Sequence, residues 1–152
     1  MIGCFSAASN VTGVLSDTIL ISQIIHKYSG LAVFDYATAA PYVKIDMHPS
    51  EPNASKDAVF FSPHKFPGGV NTPGILIASK KLFRNKVPHG GGGGGTVFWV
   101  SNQNHRFLSE PEEREESGTP DLGKYSLINI QIPIFFTQLM VPWGIKKNDM
   151  CS

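Results

Sequence analysis

The first thirty-five residues alternate apolar stretches with short polar breaks. Residues 2–8 read as a short strand, followed by the turn-like Ser9-Asn10-Val11-Thr12-Gly13. Ser16-Asp17 offers a helix N-cap. Ile19, Leu20, Ile24, Ile25 and Tyr28 recur at helical spacing, and Gly30 stands where a helix stops. Residues 31–34 form a continuous apolar run, the pattern of a parallel strand covered on both faces. Strand, helix and strand in that order predict a βαβ unit of ordinary length.

Beyond it the pattern loosens. Residues 41–57 are polar and proline-bearing, which predicts a short strand or an irregular crossover. Residues 58–61 are the next buried strand. Residues 74–78 are another, and they follow so closely that an antiparallel return is expected. Residues 80–86 suggest one helical turn, and residues 96–100 a strand. Between them runs a block of six glycines, Gly90 to Gly95. Residues 110–116 are acidic and solvated, a surface loop or the start of a helix.

Composition narrows the class. A chain of 152 residues suits one domain with an ordinary core, and 41% hydrophobic with 16% charged residues fits a soluble globular protein. A formal net charge of +1 gives no electrostatic footprint for nucleic acid or an acidic membrane. Cys4 and Cys151 lie at opposite ends, so neither a disulfide framework nor a zinc spacing is present. Residues 127–143 are rich in Ile and Phe, but Asn129, Gln131, Pro133, Gln138 and Pro142 interrupt them, which makes a poor membrane span. The N-terminus lacks the basic region and apolar core of a secretory signal. Asn10-Val11-Thr12 and Asn53-Ala54-Ser55 match glycosylation acceptors, which carry no weight without secretion. The expectation is a cytoplasmic protein, or an organellar one if the true N-terminus lies upstream.

The candidate chemistry sits at strand ends. Lys65 follows Ala58-Val59-Phe60-Phe61 and precedes a loop rich in glycine and proline. A lysine there is costly unless its ammonium reaches solvent, a partner or a covalent bond. Val33-Phe34-Asp35-Tyr36 repeats the pattern with a carboxylate. An amine and a carboxylate at neighbouring strand ends suggest a pyridoxal phosphate site, with Lys65 forming the Schiff base and Asp35 facing the ring nitrogen. Ser62 and His64 are candidate phosphate donors. Taken singly each residue has a bland reading: a surface lysine, a turn aspartate, a polar histidine. Their joint arrangement is what points to the cofactor.

These residues carry a resemblance. The chain resembles part of the large domain of class V aminotransferases, the fold-type I pyridoxal phosphate group that includes cysteine desulfurases, selenocysteine lyases and kynureninases. The matching pieces come in family order: Ser9-Asn10-Val11-Thr12-Gly13, Asp35-Tyr36-Ala37-Thr38-Ala39-Ala40-Pro41, Ser62-Pro63-His64-Lys65, the glycine run, and Glu116-Ser117-Gly118-Thr119-Pro120. The resemblance implies an α/β fold with a mixed, mostly parallel sheet and flanking helices. It implies Lys65 as the internal aldimine and the acid/base at the substrate Cα, Asp35 as partner of the ring nitrogen, and Ser62 and His64 at the phosphate. It further implies Asn10 at the carboxylate of an amino-acid substrate, and Thr119 reaching the phosphate of the other subunit in a homodimer. At the cofactor's phenolic oxygen, desulfurases usually have glutamine where this chain has Thr38, which is shorter.

Other signals are weaker. The glycine run lacks the lysine of a P-loop and the setting of a dinucleotide site, so it reads as a flexible loop. His48, His64, His89 and His105 include no pair with metal-ligand spacing, and no metal is expected. The resemblance covers residues 1–121. Residues 122–152 read as a divergent tail, or as translated intron, since Gly123-Lys124-Tyr125 can be encoded by a splice-donor-like sequence. The expected activity is that of a desulfurase-like lyase or an aminotransferase. The alternative is a catalytically incompetent fragment, or one that only pairs with a full-length partner.

Overall fold

The computed structural model describes residues 1–67, 72–88 and 93–118. The chain divides into two compact units, whose described residues fall within residues 1–78 and 79–118. The first holds β1 (Ile2–Ser6), α1 (Thr18–Lys27), β2 (Leu31–Asp35), β3 (Ala58–Phe61) and β4 (Ile75–Ala78). They form one sheet in the order β1-β2-β3-β4, in which β1, β2 and β3 pair in parallel and β4 runs antiparallel to β3. The α/β class and the mixed, mostly parallel sheet are those the sequence implies. Register places Ser6 beside Asp35 and Asp35 beside Phe60, so the three parallel strands end along one edge.

Helix α1 begins where the N-cap signal stands. Asp17 Oδ1 accepts from the Leu20 N–H at 2.9 Å, satisfying one orphan donor of the first turn. At the far end the Ser29 N–H donates to His26 O and the Gly30 N–H to Ile25 O, a Schellman closure. The left-handed residue in it is Ser29, at φ 54°, not the glycine. Gly30 is required for space instead, because a Cβ there would stand 2.8 Å from Ile25 Cγ2. Relieving a non-glycine residue of a left-handed conformation outweighs the chain entropy a glycine adds. Ser29→Gly is therefore expected to raise stability by roughly 1 kcal/mol, read as a higher urea midpoint at unchanged slope.

Between β2 and β3 the chain is irregular, of the two readings the crossover rather than a strand. It is pinned by an interaction that spans 31 residues: His26 Nε2 meets Asp57 Oδ2 at 2.9 Å while Nδ1 meets the Asn53 carbonyl at 2.8 Å. Both ring nitrogens face acceptors, which only the doubly protonated ring can satisfy by donating twice. Asp57 Oδ2 also accepts from the Ala32 N–H at 2.8 Å, tying the crossover to β2. The hydrogen bond to Asp57 raises the His26 pKa above its ordinary 6.5, against a smaller opposing effect of burial. A base raised in the folded state stabilises fully below its unfolded pKa and loses that contribution as pH climbs through the folded value. The denaturation midpoint should fall as pH rises above about 6.5, and His26→Gln should flatten that fall.

The crossover also buries Lys56, only 4% exposed. Its ammonium donates to the Asp46 carbonyl at 2.7 Å and lies 5.9 Å from the centre of the Phe34 ring. Desolvation lowers its pKa, opposed by the nearby carboxylates of Asp46 and Glu51. Phe34 and Val59 are fully buried and centre the core, with Ala7, Ala32, Tyr36 and Phe66 around them and Ile21 and Ile25 of α1 packed against it.

One strand departs from expectation. The apolar run of β4 predicts burial, yet Leu76 is 59% and Ile77 45% exposed. Strand β4 is at the edge of the described sheet, paired on one side with β3. An apolar run reports that a strand has somewhere to bury its side chains, not that both faces are covered.

In the second unit, residues 80–82 make one 3-10 turn, shorter than the expected 80–86. Strands β5 (Val97–Val100) and β6 (His105–Phe107) pair antiparallel with an irregularity between Val97 and Trp99. Helix α2 (Pro111–Glu115) settles the acidic stretch as a short helix. Its Arg114 is buried, donating to the carbonyls of Ser109 and Leu108. Of the glycine run, Gly93 to Gly95 are described and held in a turn. Thr96 Oγ1, fully buried, accepts from the Gly93 N–H and donates to Gly93 O. His89, Gly90–Gly92, Thr119, Cys151 and the whole tail from residue 122 lie outside the described residues. Among the described residues no helix is long and apolar enough to cross a membrane.

Candidate functional site

The carboxyl ends of β1 and β2 and the turn after β3 open onto a cleft of about 570 Å³. Ser6 and Asp35 line it as the last residues of β1 and β2. A crevice beyond the carboxyl ends of parallel strands is where open α/β sheets bind ligands, because the converging loops there carry the side chains. Ala37 and Thr38 line it from the turn that follows β2, and Lys65 from the 3-10 turn after β3.

Each polar group has a local reason to be there. Asp35 is half-buried, and its Oδ1 accepts from the Ala37 N–H at 2.7 Å. That bond fixes the carboxylate by its own backbone two residues on. The other oxygen has no partner among the described residues. Lys65 is exposed and closes the 3-10 turn, its N–H donating to Ser62 O at 3.0 Å. Pro63 sits at the first position of that turn, where its fixed φ and missing N–H cost nothing. The buried Phe66 follows Lys65 and packs its ring tilted against that of Phe61, with centroids 5.9 Å apart, anchoring the turn to β3.

Asn10 reaches the cleft from the loop between β1 and α1. Ser9 holds that loop: its N–H donates to Val14 O, its carbonyl accepts from the Gly13 N–H, and its hydroxyl accepts from Val11 and Thr12. Gly13, at φ 71°, supplies the left-handed residue that brings the chain back. Ser16 then donates its hydroxyl to Ser6 O at 2.7 Å, tying the start of the α1 segment to the end of β1.

Of the residues singled out in the sequence, Asn10, Asp35, Thr38 and Lys65 line one cleft. Ser62 and His64 do not line it. They lie in the turn beside Lys65, His64 exposed and Ser62 half-buried. Thr119 is outside the described residues. The sequence reading took Ser16 only as part of a helix-cap signal and did not single out Ser6 or the part Ser9 plays in the loop. Small hydroxyl residues near turns read as turn formers, and only their place at a strand end hinted otherwise. Among the described residues no group of three or more His, Cys, Asp or Glu could hold a metal ion.

The cleft lies beyond the carboxyl ends of parallel strands in a mixed α/β sheet, with an amine and a carboxylate on its walls. Residues 2–135 match the aminotransferase class-V family, and the chain belongs to that family. It is cysteine desulfurase-like. It is 29% identical over 161 residues to a probable cysteine desulfurase of Borreliella burgdorferi, covering 93% of this chain and 35% of that protein. A probable cysteine desulfurase of Aeropyrum pernix is 34% identical over 117 residues, covering 75% of this chain and 27% of that protein. In fold it resembles the crystal structure of the cysteine desulfurase CsdA (S-sulfonic acid) from Escherichia coli, with a TM-score of 0.72 at 24% identity. That likeness covers 88% of this chain and 32% of the other. The chain thus spans about a third of the length of these proteins. The family uses pyridoxal phosphate.

Proposed function

We propose that this chain carries the cofactor-holding residues of a pyridoxal phosphate-dependent, cysteine desulfurase-like site acting on an amino acid. Lys65 is the amine that holds the cofactor aldehyde, and Asp35 the carboxylate that faces its ring nitrogen. The observation that carries this reading is that Asp35 and Lys65 line one cleft together with Asn10 and Thr38. The donor set fits the group. The volume is that of a small-molecule pocket, the amine is accessible, and one carboxylate oxygen is uncommitted among the described residues.

Bound there, the cofactor supplies an electron sink for charge developing at the substrate Cα. The Asp35 carboxylate keeps a proton on the ring nitrogen, since opposite charges favour each other's ionised forms. The Lys65 amine moves the proton at Cα once substrate is held. The Asn10 amide donates to the substrate carboxylate. Thr38 stands near the ring, while Ser62, His64 and, in a homodimer, Thr119 serve the phosphate.

The test is a titration of the purified chain with pyridoxal phosphate, followed by visible absorbance. A saturable band is expected, and a spectrum identical to free cofactor would defeat the proposal. A second reading, binding without turnover, rests on the chain spanning about a third of its relatives' length. Formation of L-alanine from L-cysteine by the loaded chain, with an added thiol reductant taking the sulfur off as sulfide, would rule it out.

A further inference from the structure

The loop between β1 and α1 is fastened in an unequal way. Its neck is closed by backbone alone, through Ser9 N–H to Val14 O at 3.0 Å, Gly13 N–H to Ser9 O at 2.9 Å, and the Ala8–Leu15 bridge. Its far arc is held differently. The N–H groups of Val11 and Thr12, the two residues after Asn10, are both received by one side-chain atom, Ser9 Oγ, at 3.3 and 3.2 Å. Val11 is 87% exposed, so no packing holds this arc in place of those bonds. Asn10 lies between the hydroxyl and the two amides it receives, and its own amide has no partner among the described residues. The arc's other side-chain bond, Val14 N–H to Thr12 Oγ1, is longer at 3.4 Å and lies beyond Thr12, so the place of Asn10 over the cleft is set chiefly by the Ser9 hydroxyl.

We propose that Ser9 is a positioning residue, holding Asn10 at the cleft for the carboxylate of the amino-acid ligand. This rests on the function proposed above, in which Asn10 receives that carboxylate. The two bonds use the Ser9 oxygen as an acceptor, so this role runs through the backbone. Ser9 also lines the cleft with its O–H proton uncommitted among the described residues, and amide exchange at Val11 and Thr12 separates ordering of the arc from direct donation to the ligand. Removing the hydroxyl leaves the neck closed and frees the arc. The ligand must then pay to order Asn10 before the amide can donate. Cofactor affinity depends on Lys65 and Asp35, on other elements, and is untouched.

Three variants of the full chain test this: Ser9→Ala, Ser9→Thr and Asn10→Ala. The first readout needs no cofactor. Ser9→Ala should speed amide hydrogen exchange at Val11 and Thr12, measured by NMR, and Ser9→Thr should restore it. The second is titration of the chain loaded with pyridoxal phosphate by L-alanine, followed by the change in the cofactor's visible spectrum. Ser9→Ala should weaken apparent L-alanine affinity about fivefold, the scale of one lost hydrogen bond, with cofactor affinity unchanged. Ser9→Thr should recover it, and Asn10→Ala should weaken it at least as much. If Ser9→Ala leaves L-alanine affinity unchanged where Asn10→Ala lowers it, or lowers cofactor affinity equally, the proposal is overturned. If the wild-type chain takes up no cofactor, the functional reading itself has failed, and the exchange result still reports whether Ser9 orders the loop.

Discussion

Lys65→Ala is expected to abolish covalent attachment of pyridoxal phosphate while leaving the fold intact. The side chain is exposed and makes no hydrogen bond or ion pair among the described residues. What shapes the turn is backbone: the Lys65 N–H to Ser62 O and the Phe66 N–H to Pro63 O, both kept by alanine. Exposed positions without special contacts change stability by about 0.5 kcal/mol or less. Loss of attachment with an unchanged urea midpoint would separate a missing amine from a damaged fold. No other lysine among the described residues lines the cleft, so no residual attachment there is expected.

The second large effect concerns the residue before Asp35. Phe34→Ala is expected to cost about 3–5 kcal/mol, the usual range for emptying a buried aromatic site. Phe34, the fourth of the five residues of β2, is fully buried and its ring meets that of Phe5 at 6.2 Å. It also lies beneath the Lys56 ammonium, which loses the ring's favourable face when the site is emptied. Whole domains are stable by only about 5–15 kcal/mol, so a large unfolded fraction should appear at 37 °C. Val11→Ala, at an exposed position, should leave the midpoint within about 0.5 kcal/mol of wild type. Because successive strand residues point to opposite faces, Phe34 anchors β2 while Asp35 faces the other way, toward the cleft. Loss of cofactor binding in Phe34→Ala should therefore track unfolding.

Much of the first unit was legible because local signals and tertiary demands agree there. Asp17 caps the helix it was expected to cap, and the apolar runs of β2 and β3 are strands. What the sequence hid was long-range or conformational. The partner of His26 lies 31 residues away, in a segment with no periodicity. Lys56 looks like any lysine in a polar stretch, yet the crossover folds over it. Gly30 stands at the helix end, as expected, while the left-handed residue there is Ser29, which no sequence signal marked. Strand β4 shows that hydrophobic content alone does not say which strand takes the edge. For the site, Asp35 and Lys65 stood out because charge at the end of an apolar run is unusual. Ser6, Ser9 and Ser16 did not, because a hydroxyl near a turn is common and its partner is set only by the fold.

The most direct measurement is peptide mapping by mass spectrometry after incubating the chain with pyridoxal phosphate and fixing the product with borohydride. A pyridoxyl group on the peptide containing Lys65, at near one per chain and at no other lysine, is the expected result. Label spread over surface lysines such as Lys27, Lys44 and Lys81, or absent from Lys65, would contradict a cofactor site at this cleft.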